Sequence, residues 1–221
     1  MTTAIIGTGG LGSAIARQLS TGGESLRLSS ADTESARTLA RAIGPPAAVA
    51  VDNHDALRGA DAVVLALRFS VLESVIDEIS DSLAERVVVI PSNPVSLDSR
   101  GKLMRLVPEG QSSGEVVAGW LPAGTGLAMA FGTMSANLLE SSSRRAPEPA
   151  VLFYLTDDDR AGAEVEHLIR TTGFEPVKVG GIKQSSRLEV GGDLHDRVVG
   201  AAEARSLIAG AAGGTGPGSS Q

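Results

Sequence analysis

Residues 2–12 read Thr-Thr-Ala-Ile-Ile-Gly-Thr-Gly-Gly-Leu-Gly: a short apolar strand that runs straight into glycines at positions 7, 9 and 12. This spacing constrains the fold more than any other stretch. Gly7 permits a tight turn, Gly9 lets backbone approach a pyrophosphate, and Gly12 lets a helix over residues 13–22 pack close to the strand. Phosphates on such a turn sit on free N–H groups at a helix N-terminus, where the dipole also favours an anion. With 27 glycines in 221 residues the pattern arises by chance roughly 0.4 times, so its position matters more than its letters. It lies between a strand and a helix whose apolar residues Leu11, Ile15 and Leu19 have helical spacing. Gly7, Thr8, Gly9, Gly10, Leu11 and Gly12 are therefore the first candidates for binding a dinucleotide.

The remainder alternates strand and helix. Strands are predicted at 25–29, 47–51, 61–67 and 86–90, with helices at 32–43, 53–58 and 71–83 between them. Gly44-Pro45-Pro46 stops the second helix. This alternation predicts an α/β chain, a Rossmann doubly wound parallel sheet with right-handed crossovers and a small C-terminal extension. Residues 96–110 read as an irregular excursion, followed by a helix at 113–121 and a strand at 126–131. Beyond Ala136 the pattern predicts a loop at 141–149, a strand at 150–156, a helix at 157–172, a strand at 174–179, and helices at 183–190 and 193–210. The expected division is a dinucleotide-binding domain over 1–134, a small α/β subdomain over 135–210 and a flexible Gly, Ala, Ser and Pro tail over 211–221.

Composition narrows the function. A net charge of −7 and the lack of a basic stripe argue against a nucleic-acid partner, and 3% aromatic residues leave little for base stacking. The absence of cysteine removes disulfides, thiolate nucleophiles and cysteine metal sites. The longest apolar runs, 62–67 and 87–90, are too short to span a bilayer, and no basic segment precedes the first strand, so a soluble cytoplasmic protein is expected.

In such a fold the ligand lies outside the carboxyl ends of the strands, at the switch in strand order. Ser29 and Ser30 end the second strand, where an acidic residue would take an adenosine ribose; their presence leans towards NADP. Asp32 is either a ribose ligand or the N-cap of the next helix, and Arg37 lies one turn further on. Leu67 and Arg68 follow the fourth strand, where Arg68 is either a phosphate partner or a surface arginine. Asn93 and Pro94 follow the fifth, either at the nicotinamide side or in an ordinary turn. His54, His167 and His195 are scattered, without spacing for a metal or a triad, and no G-x-S-x-G elbow is present. Asp157-Asp158-Asp159 reads as a capping cluster rather than a metal site. No catalytic side chain and no metal ligand is assigned.

Taken together, the chain resembles the F420-dependent NADP reductase family, small Rossmann enzymes that pass hydride between NADP and the deazaflavin coenzyme F420. The likeness rests on residues 6–12, the fourth strand and its loop, Asn93-Pro94-Val95, Ala130-Phe131-Gly132-Thr133, residues 153–159, Gly173-Phe174-Glu175-Pro176-Val177 and Ser186-Arg187-Leu188-Glu189. It implies that Thr8, Gly9, Gly10 and Leu11 hold the pyrophosphate, Ser30 the 2′-phosphate, Asn93 the nicotinamide side, and that nicotinamide meets its partner at Ala136. It implies NADP as cofactor, F420 as a second substrate, and a homodimer. Two departures from the family stand out: Ala31 and Asp32 occupy positions where arginines are common, and Leu67-Arg68 replaces Ile-Pro. Direct hydride transfer asks the protein to stack two rings and exclude water, without a side-chain acid. The alternatives are a small imine or ketone reductase resembling pyrroline-5-carboxylate reductase, and a non-catalytic NADP-sensing module.

Overall fold

The computed structural model describes residues 1–212. The elements in order are β1 (Thr2–Ile6), α1 (Gly10–Thr21), β2 (Ser25–Ser29), α2 (Thr33–Ile43), β3 (Ala47–Val49), α3 (Asn53–Leu57), β4 (Ala62–Leu65), α4 (Phe69–Glu78), β5 (Val87–Ile90), β6 (Val95–Leu97), β7 (Leu103–Arg105), α5 (Ser113–Trp120), β8 (Gly126–Ala130), α6 (Ala136–Ser142), β9 (Val151–Leu155), α7 (Asp159–Thr171), β10 (Glu175–Gly180) and α8 (Ala201–Ala212). Eight strands form one sheet in the order β10-β9-β8-β5-β4-β1-β2-β3. All neighbours run parallel except β8 and β9, which meet antiparallel. The alternation of the first half thus gives the expected doubly wound Rossmann sheet.

The central strands β4 and β5 are buried at every residue because helices cover both faces, which is why they are apolar runs rather than alternating ones. On one face the core joins Leu57 of α3, Leu72 and Ile76 of α4, Val117 of α5 and Ala204 of α8. On the other it joins Ile15 of α1, Leu39 of α2, Leu139 of α6 and Val165 of α7. Each fully buried Leu, Ile or Val stabilises the fold by about 1.5–3 kcal/mol relative to exposure.

Several local expectations are corrected. Residues 96–110 are not simply irregular: β6 and β7 pair antiparallel as a small separate hairpin. The loop expected at 141–149 starts later, since α6 extends to Ser142. The helix expected at 71–83 starts earlier, at Phe69, and its last turn is a separate 3-10 turn at Ser80–Ser82. The helix expected at 183–190 is a 3-10 segment, Ile182–Arg187, and that at 193–210 is only α8, which begins at Ala201. Strands β9 and β10, in the stretch assigned to a C-terminal subdomain, extend the same sheet. The tail expected over 211–221 lies, from residue 213, outside the described residues. No helix among the described residues is long and apolar enough to cross a membrane.

Candidate dinucleotide site

Strand order reverses at β1, which pairs with β2 on one side and β4 on the other. The carboxyl ends of β1 and β4 therefore flank the crevice where ligands bind in open α/β sheets. The turn after β1 is built by its glycines. Gly7 adopts φ of 102°, and a Cβ there would stand 2.4 Å from the Ala66 carbonyl oxygen just past β4. A Cβ on Gly12 would stand 2.0 Å from the Gly7 carbonyl oxygen, so only glycine lets α1 start this close to β1. Gly9 differs: a Cβ there would meet nothing within 4 Å, and the residue is exposed.

Thr8 is buried in the turn, its hydroxyl 2.8 Å from that of Ser35 in α2. Its carbonyl accepts from the Ser13 hydroxyl at 2.8 Å. These bonds tie the turn to the first turns of two helices.

Helix capping shows where the free N–H groups are. The side chains of Asp32, Asp52, Ser112, Ser135 and Asp158 accept from first-turn N–H groups of α2, α3, α5, α6 and α7. By contrast α1 and α4, which start at the crevice, have no side-chain cap. The N-cap of α4 is Arg68, whose side chain is exposed and makes no ion pair among the described residues. An uncapped helix N-terminus beside a glycine that leaves open space, faced by a free guanidinium, has the donor set for a diphosphate. The turn therefore fits a dinucleotide.

The structure brings Leu11, Leu67, Arg68 and Asn93 together as walls of one cleft of about 230 Å³. Ser92, which the sequence reading did not single out, belongs there too: its hydroxyl donates to the Leu67 carbonyl at 2.5 Å and ties the ends of β4 and β5. Asn93 is held on both sides. Its Nδ2 donates to the Gly132 carbonyl and its Oδ1 accepts from the Val190 N–H, each at 2.8 Å. Gly132 itself is close-packed, since a Cβ would stand 2.4 Å from the Pro91 carbonyl oxygen. Before it, Phe131 lies in the left-handed region at φ of 67°, a strained conformation for a bulky residue. Pro94 is buried behind Asn93. Ala136 opens α6 and faces Gly10 across the two helix starts, 3.9 Å from where a Gly10 Cβ would be.

At the other end of the site, Ser29 is buried and its hydroxyl donates to Asn53 Oδ1 at 2.7 Å. Ser30 is half-exposed. Asp32 caps α2, accepting from the Glu34 N–H at 3.1 Å. The three histidines lie apart, with His54 near Ser82, His167 near Glu24 and His195 near the Leu188 carbonyl.

A second polar centre adjoins Asn93. Glu189 is 5% exposed and accepts from the hydroxyls of Ser113 at 2.6 Å and Ser185 at 2.8 Å, while Arg105 of β7 donates to its other oxygen at 3.0 Å. This carboxylate joins the start of α5, the 3-10 segment and the hairpin. Glu189 stands in a run that carried the family likeness, but spacing alone could not reveal partners on three other elements.

Residues 2–94 match the family described as NADP oxidoreductase coenzyme F420-dependent. That segment runs from β1 through Asn93 and holds the glycine turn, both serines and Arg68; the family match does not extend to β8 or the strands after it. Among solved structures, a hypothetical protein from Sinorhizobium meliloti superposes with a TM-score of 0.80 at 27% identity, covering 90% of this chain and 95% of that one. A protein from Arthrobacter, provisionally named an F420 dependent NADP-reductase, gives 0.71 at 22% identity over 82% of this chain and 86% of that one. Pyrroline-5-carboxylate reductase from Coxiella burnetii gives 0.62 at 14% identity, with 84% of this chain on 61% of that one. These likenesses establish the shared Rossmann-type fold. No curated protein matches the sequence.

Proposed function

We propose that this chain is an NADP(H)-dependent oxidoreductase that passes a hydride between the nicotinamide and coenzyme F420 or a similar acceptor, as a cytoplasmic homodimer. The observation that supports it most is the pairing of an uncapped α1 with the open Gly9 and the free Arg68 across the switch point, inside the segment that matches the family. In this reading the N–H groups of Gly10, Leu11 and Gly12 and the Arg68 guanidinium hold the diphosphate. Ser30 faces the adenosine end, and Leu67 packs against the dinucleotide.

When bound, the nicotinamide supplies the hydride that leaves its C4 carbon. The work of the chain is to bind, orient and shield. Asn93 cannot turn, because both ends of its amide are bonded to backbone, so it forms a fixed wall beside the nicotinamide. The small side chain of Ala136 leaves room for a second ring. No side chain is assigned a proton transfer, and the proton that accompanies the hydride comes from solvent.

The test is titration of the full chain with NADPH and NADH, followed by oxidised F420. Binding of NADPH with loss of the deazaflavin absorbance is the expected result. Binding without loss removes F420; turnover of an imine panel would then move the assignment to a reductase like pyrroline-5-carboxylate reductase, and silence on every acceptor to nucleotide sensing.

A further inference from the structure

The two backbone groups that clamp the Asn93 amide are not equally firm. The Gly132 carbonyl, which accepts from Nδ2, belongs to a corner pressed against the Pro91 carbonyl. The Val190 N–H, which donates to Oδ1, belongs to a residue that is 42% exposed and is followed by Gly191 and Gly192, so its own side chain does not anchor it. The anchor is the residue before it. Glu189 is buried, and its carboxylate takes the single hydrogen of each hydroxyl of Ser113 and Ser185 and an N–H of Arg105. The Ser185 hydroxyl in turn accepts from the Gly114 N–H at 3.1 Å, and Arg105 also donates to the Gln111 carbonyl at 2.9 Å. Every partner of the carboxylate is a donor, which suits an acceptor-only group and not an amide. The start of α5 cannot slide to relax the cluster, because a Cβ on Gly114 would stand 2.3 Å from the Ile182 carbonyl oxygen.

We propose that Glu189 is a positioning residue for the nicotinamide: by fixing the Val190 N–H it sets the orientation of the Asn93 amide. The inference rests on reading the crevice as a dinucleotide site with the nicotinamide at Asn93. Gly132 and Val190 each use one place on that amide, which leaves it one N–H and one lone pair for a ligand. Glu189 itself touches no ligand in this scheme. It acts through two links, from its carboxylate to the 3-10 segment and from the Val190 N–H to Asn93. Arg105 brings the β6–β7 hairpin into the same chain of contacts, so the hairpin helps to hold a residue that it does not touch through a side chain.

Calorimetric titration of the full chain with NADPH and with 2′-phospho-ADP-ribose, the same dinucleotide without its nicotinamide, tests this without reference to turnover. Glu189→Gln keeps the side-chain length but sets an amide NH₂ against donors. It is expected to weaken NADPH by about 3- to 10-fold, the span of one hydrogen bond, and to leave 2′-phospho-ADP-ribose within about twofold. Asn93→Ala should show the same selective loss, and adding Glu189→Gln to it should cost nothing more, because both act through one amide. Arg105→Met, at a side chain that is 45% exposed, should give a smaller loss of the same kind and serves as the second variant if Glu189→Gln fails to fold. Equal losses for the two ligands, no loss, or a further loss in the Asn93→Ala background would overturn the proposal. If the unmodified protein binds both ligands equally tightly, the nicotinamide gains nothing at Asn93 and this inference alone falls. If it binds neither, the dinucleotide reading falls and this inference with it.

Discussion

At Gly12 a methyl group would stand 2.0 Å from the Gly7 carbonyl oxygen, whereas at Gly9 it would meet nothing within 4 Å. Two glycines of one turn therefore answer to different forces, backbone packing in one case and room for a ligand in the other. Gly12→Ala should cost about 3 kcal/mol or more and lower the melting temperature by roughly 6–12 °C. Gly9→Ala should leave the melting temperature within about 2 °C and weaken NADPH binding by at least about tenfold; calorimetry and a thermal melt separate the two effects, and an equal loss of stability at Gly9 would make it a structural residue. The glycine spacing was legible in the sequence because turn, strand and helix lie within eleven residues. The commitments of Ser29 and Asn93 were not. Ser29 bonds a residue 24 positions away, and Asn93 bonds residues 39 and 97 positions away, contacts set by how α3, β8 and the 3-10 segment dock.

Among the elements, α5 shows how a helix start is fixed. The Ser112 hydroxyl accepts from the Glu115 N–H at 3.1 Å, and the Glu115 carboxylate accepts from the Ser112 N–H at 3.2 Å, a reciprocal capping box. The backbone hydrogen bond from Ser112, helped by its hydroxyl, holds the Glu115 carboxyl below its ordinary value of 4.5. A carboxyl depressed in the folded state stabilises above its unfolded value, and that contribution is lost as pH falls through the folded one. Glu115→Gln should therefore be less stable than the parent protein at neutral pH, and the difference in denaturant midpoint should shrink as pH drops below 4.5. A difference independent of pH would show that the charge has no part in the cap. The Ser112 to Glu115 spacing is visible in the sequence. The β6–β7 hairpin is not, because its strands have three residues each and β7 is exposed throughout, so no buried alternation marks them.

At the scale of the molecule, one sheet runs through both halves of the chain. Leu65 of β4 and Phe153 of β9 belong to one core, Ile15 of α1 and Phe174 just before β10 to the other, so both cores cross residue 134. Calorimetric unfolding should give a single transition with equal calorimetric and van't Hoff enthalpies, and two transitions would support separate units on either side of residue 134. The first five strands of the sheet were legible from strand and helix alternation. The reversal at β9 was not: β9 pairs antiparallel with the carboxyl edge of β8 through Leu155 with Met129 and Tyr154 with Ala130, residues 26 and 24 positions apart. That same carboxyl edge carries the two helix starts that no side chain caps. Backbone N–H donors of this kind do not distinguish a nucleotide diphosphate from inorganic phosphate or sulfate. Buffer is thus a rival ligand: in about 50 mM phosphate the cofactor should seem to bind more weakly than in a zwitterionic amine buffer, and the protein should melt higher before any nucleotide is added.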